Sequence, residues 1–159
     1  MRDILLSSHF SMSELTTTST GLDNTPDPAQ TASLVALCVR ALEPIRALLG
    51  VPLRINSGFR SAAVNKAIKG AKQSQHLLGE AADIVPVGYP GGAEAAMAAI
   101  AAEVKKGTIL LDQVIVYPLG GFLHVSYTER RGNRCELLQS AAAGGSGGPY
   151  SPWNGPTGY

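Results

Sequence analysis

Cysteine is nearly missing from this chain: Cys38 and Cys135 are the only two, far apart and in no C-x-x-C spacing. That excludes a disulfide framework and a thiolate zinc site. Cys38, inside an apolar helical pattern, reads as a buried inert thiol. Charge is also scarce, at 16% of residues against the roughly 25% usual for globular domains. Its signs nearly cancel, with 13 Lys and Arg against 12 Asp and Glu. A broad nucleic-acid face needs clustered positive charge, so no nucleic-acid partner is expected. Long apolar runs are missing too. No stretch approaches the ~20 residues of a transmembrane helix, and Ile4-Leu5-Leu6 is too short for the roughly 7–15-residue apolar region of a signal peptide. The expectations are therefore no membrane partner and no self-export.

What is present fits one ordinary domain. A chain of 159 residues should bury about 68–70% of its unfolded surface, which a core of this size sustains without staples. Leu34, Leu37, Leu42, Ile45, Leu48 and Leu49 recur at three- and four-residue steps, predicting a helix over 28–49 that Gly50 stops and Pro44 kinks or divides. The alternation of Val51, Leu53 and Ile55 predicts a strand over 51–56. Ser61 caps a short helix ending at Gly70, residues 80–87 read as a strand, and the Ala-rich stretch 92–106 reads as a helix closed by Gly107. Three strand-like runs follow, at 113–117, 121–127 and 134–138. Their turn-rich spacers, Pro118-Leu119-Gly120 and Glu129 to Asn133, suit antiparallel hairpins. The fold class is α+β, an antiparallel sheet with helices on one face.

From Ser140 the composition changes. The last twenty residues hold six Gly, three Pro and no charge, which divides the chain into a domain over 1–139 and a tail over 140–159. A flexible tail is one reading, under which truncation after Gln139 leaves the melting temperature nearly unchanged. The other is a docking segment, since Tyr150, Trp153 and Tyr159 gather aromatics there to lie on the domain or on a partner protein.

Of the three histidines, His9 has no ligand-type neighbour and reads as structural. His76 leaves a loop three residues before Gly79, which permits a sharp turn into a strand carrying Asp83. On that strand Ala81, Asp83 and Val85 share one face and Ala82, Ile84 and Pro86 the other. An Asp among apolar strand residues is costly unless paired or bound to a metal. His124 sits mid-strand with Phe122 and Ser126 on its own face. Alone it reads as a satisfied core residue. Together, two imidazoles and one carboxylate suit a catalytic Zn2+, which takes three protein ligands and leaves a fourth place for water.

Ser57-Gly58-Phe59-Arg60-Ser61, then Val64-Asn65, then Ser74-Gln75-His76 through Gly79, Ala81 and Asp83, then His124-Val125-Ser126 occur in one order. With Phe10 to Leu15 and Asp23-Asn24-Thr25-Pro26 ahead of them, they resemble the zinc D-alanyl-D-alanine carboxypeptidase-like peptidases, a family sharing the hedgehog/DD-peptidase fold, and in particular its phage-type branch. The resemblance runs from about Phe10 to Leu138. It implies zinc ligands at His76, Asp83 and His124 and a substrate-facing Arg60. A planar, permanently charged guanidinium suits a stem-peptide carboxylate or an oxyanion; pairing with a protein carboxylate is the competing role. Ser74 bonds the loop or the substrate, or serves the turn alone.

The resemblance implies an enzyme, a zinc metallopeptidase that hydrolyses peptide bonds in bacterial peptidoglycan stem peptides as an endolysin or a virion-associated cell-wall peptidase. It would reach the wall through a separate pore from the host cytoplasm, or ride in on the virion. The pattern departs at one point. Relatives carry a carboxylate ahead of the last ligand, whereas here Tyr117 stands at that place and 118–123 hold neither a carboxylate nor a His. For the general base this leaves Asp112 first and Glu80 second, with Tyr117 as a transition-state stabiliser. The alternative is a non-catalytic, zinc-stabilised binding or virion-structural module of the same fold.

Overall fold

The computed structural model describes residues 3–142 and 148–155. The long apolar pattern after Pro28 folds as two α-helices in line, α2 (Pro28–Leu37) and α3 (Glu43–Leu49), joined by a π-helical turn over Cys38–Leu42; a short α1 (Met12–Leu15) precedes them. Pro44 lacks the N–H that the carbonyl four residues back would accept, and the wider turn absorbs that break. Asp27 caps α2 and Gly50, at φ +68°, closes α3. Strand β1 (Leu53–Ser57) leads to α4 (Ala62–Ala67), whose N-cap is Ser61 as expected. A 3-10 turn (Gln75–Leu78) enters β2 (Ala81–Pro86), followed by α5 (Gly92–Lys106), β3 (Gln113–Tyr117), β4 (Phe122–Ser126), β5 (Glu136–Ser140) and β6 (Tyr150–Pro152). His9 is structural: its Nδ1 lies 2.6 Å from Glu43 Oε1.

The six strands form one sheet in the order β1-β2-β4-β3-β5-β6. Residues of even parity on the central strands, Ala82, Ile84, Val114 and Val116, point into the main core with Leu123 and Val125. There they meet Leu34, Leu37 and Leu42 on one side and Met97 and Ile100 of α5 on the other. The helices thus cover one face, as expected. The opposite face carries, among the described residues, a small apolar cluster, Ile115, Tyr117 and Phe122, beside polar residues.

The expected run of antiparallel hairpins fails at one strand. The β3–β4 pair is an antiparallel hairpin, but β5 lies parallel to β3, with Gln113 opposite Glu136 and Val116 opposite Gln139. Both edges of β4 are taken, by β2 and by β3, so the next strand cannot pair with β4 and joins the outer edge of β3 instead. The chain must cross a strand to reach it, and the expected start at Arg134 is lost to that crossing. Cys135 takes φ +55° and donates its N–H to Leu111 O at 3.0 Å.

Ser140 ends β5, and Tyr150–Pro152 pairs antiparallel with it, so the described part of the last twenty residues extends the same sheet. Trp153 donates its N–H to Leu137 O at 3.0 Å, lies half-buried against the main core, and has Lys105 Nζ 5.5 Å from its ring centre. Residues 150–153 are therefore docked on the domain rather than free, because an open edge of β5 and an apolar surface meet them. Tyr159 lies outside the described residues.

Candidate metal centre

One transverse row of the sheet builds the centre. Asp83 on β2 pairs directly with His124 on β4, and Ser57 on β1 lies opposite Asp83 across an irregularity at Asn56. Directly opposed residues on one face of an antiparallel pair hold their Cβ atoms about 4.5–5.5 Å apart. The alternation read from the sequence thus delivers Asp83 and His124 side by side on the uncovered face.

His76 arrives from the 3-10 turn. Ser74 Oγ accepts the His76 N–H at 3.2 Å, which is its turn role, and Gly79 reverses the chain at φ +73°. A Cβ on Gly79 would stand 2.6 Å from Gln30 O, so only glycine fits between this turn and α2. The turn is tied to the loop after β1 twice: Gly58 O accepts from His76 Nδ1 at 2.7 Å, and Arg60 N–H donates to His76 O at 3.0 Å. Asn24 fixes that loop in turn, donating to Phe59 O at 2.8 Å and accepting from Ser61 N–H at 2.7 Å.

The ligand-type atoms of His76, Asp83 and His124 all lie within 4.8 Å of one another. Asp83 Oδ1 stands 3.3 Å from His76 Nε2 and 3.2 Å from His124 Nδ1. With the Nδ1 proton of His76 given to Gly58 O, Nε2 carries a lone pair. It is buried and has no hydrogen-bond partner among the described residues. A lone pair facing a carboxylate oxygen in a buried site is unfavourable unless a cation lies between them. The residues present therefore fit a divalent metal with two nitrogen donors and one oxygen donor, the set that zinc takes in catalytic sites. Burial pushes the His76 imidazole below its usual range despite Asp83, keeping it in the neutral form that a ligand requires. For Asp83, burial alone would raise the pKa, but His76 and His124 outweigh it and hold the carboxyl well below the usual range.

Arg60 is buried and its fork is engaged: Nε donates to Ser57 Oγ (2.9 Å), Nη1 to Asn65 Oδ1 (3.4 Å) and Nη2 to Asp83 Oδ2 (3.3 Å). It holds the second oxygen of Asp83, leaving Oδ1 toward the histidines. The competing role read from the sequence, pairing with a protein carboxylate, is thus present, and that carboxylate belongs to the candidate metal cluster. Arg60 also lines an open cavity of about 720 Å³ shared with His76, His124, Tyr117 and Tyr150. The Tyr117 and Tyr150 hydroxyls are 3.3 Å apart.

The two carboxylates expected near the reacting centre are elsewhere. Asp112 is fully buried and outside the cavity lining. Arg131 grips it at 2.7 and 3.1 Å, Arg134 at 2.9 and 3.2 Å, and the Arg134 N–H donates at 3.0 Å. Burial would raise its pKa, but the two arginines hold it well below the usual range, which is the wrong direction for a proton acceptor. Glu80 is likewise buried, taken by Arg130 at 2.7 and 2.8 Å and by Thr128 and Gln75. Of the sequence candidates the structure brings together His76, Asp83, His124, Arg60 and Tyr117, and it removes Asp112 and Glu80 to salt bridges behind the wall. In the sequence Arg130 and Arg131 fall in the turn spacer and Arg134 at the start of the expected strand, none of them as a site residue. Their signal was there, three Arg within five residues between two strands. The Gly58 carbonyl left no sequence signal, because a backbone acceptor has no side chain to read.

A helix-backed sheet whose open face carries a His–Asp–His cluster able to hold a metal ion beside a polar cavity suits metal-assisted hydrolysis. The Peptidase M15 family model matches residues 8–125, and the chain belongs to that family, whose members are zinc-dependent peptidases. None of the curated proteins matches the chain.

Proposed function

We propose that this protein is a zinc peptidase that hydrolyses peptide bonds in bacterial peptidoglycan stem peptides, as an endolysin or a virion-associated cell-wall enzyme of the phage-type branch. The observation that carries the reading is the orphaned Nε2 of His76 facing Asp83 and His124 beside an open cavity. Zinc held by these three residues supplies Lewis acidity toward a carbonyl and lowers the pKa of water to near 7. Gly58 fixes the tautomer of His76, and Arg60 orients Asp83 while presenting its charge to the cavity, where an oxyanion develops. Tyr117 lines the same cavity, and its phenol hydroxyl serves as a donor to that oxyanion rather than as a base. It would reach the wall through a separate pore or on a virion.

One observation favours a second reading, a zinc-stabilised binding or virion-structural module. No Asp or Glu is among the described residues that line the cavity, and the two nearest in sequence are locked by arginines. Incubating the zinc-loaded protein with purified peptidoglycan and reading the fragments by mass spectrometry separates the two. Released stem peptides support hydrolysis and identify the bond. Intact wall with stoichiometric zinc in the protein leaves the binding module.

A further inference from the structure

The loop between β4 and β5 spends three arginines on one wall of the cavity. Arg130, Arg131 and Arg134 all line the same 720 Å³ space as His76 and His124. Their side chains are half-exposed, at 53%, 41% and 49%, while the side chains that hold them, Glu80 and Asp112, are buried at 3% and 0% exposure. This is an unusual division. A surface arginine ordinarily loses side-chain entropy when it closes on a ligand. Here the forks are already fixed from behind by bidentate bonds, and the loss has been met during folding.

Arg130 is matched by Glu80, whereas Arg131 and Arg134 share the single carboxylate of Asp112, with Glu136 acting on Arg134 from farther off, so three arginines are gripped by only two carboxylates. Lys69 lines the same space, and no Asp or Glu does so among the described residues. Donors remain as well. A guanidinium carries five N–H groups, and the Nη1 groups of Arg130 and Arg134 have no acceptor among the described residues. Salt bridges that served stability alone would not need three arginines for two carboxylates, nor face a cavity.

We propose that Arg130, Arg131 and Arg134 form a preorganised anion-binding wall that takes a carboxylate of the substrate peptide other than the group reacting at the metal centre. The inference rests on the peptidase reading and narrows it. The preferred substrate is a peptide with a free carboxylate away from the scissile bond, and the same peptide with that carboxylate amidated is a poor one.

The test uses the full zinc-loaded chain and a synthetic stem-type peptide, alongside versions with each non-terminal carboxylate amidated in turn. Binding is read by calorimetry and cleavage in parallel. Amidation at one position should weaken binding by about tenfold or more, the range of a lost charge-assisted hydrogen bond. Arg131→Gln should weaken the free-acid peptide comparably and leave the amidated one unchanged. That variant still leaves Asp112 gripped by Arg134, and Arg131→Lys, which keeps the charge, should fall between. The proposal is overturned if the unmodified protein binds every amidated peptide as well as the free acid, if the free acid does not bind, or if Arg131→Gln weakens both peptides alike. Discrimination without cleavage would remove the hydrolase reading and keep the wall; cleavage without discrimination would do the reverse.

Discussion

Replacing Asp112 by Asn separates an anchoring carboxylate from a catalytic one. The Asp112 carboxylate accepts five hydrogen bonds, four from the forks of Arg131 and Arg134 at 2.7–3.2 Å and one from the Arg134 backbone at 3.0 Å. Bonds to a charged partner contribute about 1.5–3 kcal/mol each when desolvated. The arginine side chains are 41% and 49% exposed, so water and screening recover much of that on release. Asn keeps one acceptor oxygen but turns an N–H group toward guanidinium donors, losing one fork outright. A cost of about 2–3 kcal/mol follows, which for a domain of this length lowers Tm by about 5–10 °C. Because the folded pKa of Asp112 is depressed, its contribution is complete above the unfolded value of about 3.9 and is lost as pH falls through the folded value. The Tm gap between the unmodified protein and Asp112→Asn should therefore be constant from about pH 5 to 8 and narrow below about pH 4. Circular dichroism melts across that range check it. An unchanged Tm together with a ~10²-fold loss of wall hydrolysis would refute the anchoring argument and make Asp112 the base after all.

Three further outcomes follow from the same contacts. Arg60→Lys loses the fork that joins Ser57, Asn65 and Asp83. It should weaken zinc affinity about 10–100-fold, the usual cost of removing a group that orients a ligand, as read by chelator competition; unchanged affinity would confine Arg60 to substrate. Truncation after Gln139 removes β6 and uncovers the surface beneath Trp153. It should lower Tm by several degrees, since exposing a partly buried aromatic and a sheet edge costs about 1–3 kcal/mol, and an unchanged melt would show the segment to be free. Burial pushes the Cys38 thiol up to about 12, whereas Cys135 is exposed. A thiol reagent at pH 8 should titrate one group in the folded protein and two after denaturation.

The parts of the fold that follow local rules were open to reading. Gly92–Lys106 is helical end to end, because Ala-rich sequence, terminal lysines and Gly107 agree on the same answer. Strand parity put Asp83 on one face and Ile84 on the other, and the sheet uses that parity to oppose Asp83 to His124. The parallel seat of β5 was not open to the same reading, since it depends on which edges earlier strands have already taken. Nor was the fate of Asp112. It has the residue type of a base and sits next to the right strand, but two arginines some twenty residues on claim it. Trp153 was legible only as an aromatic in polar company, because the surface it covers is assembled from distant segments.

Zinc stoichiometry tests the account at its centre. Elemental analysis of the purified chain should find one zinc per molecule, and His76→Ala, Asp83→Ala and His124→Ala should each lose it while the unmodified protein, stripped with chelator, regains it on adding zinc. If all three variants remain fully loaded, the metal is held elsewhere and the role assigned to His76, Asp83 and His124 is wrong.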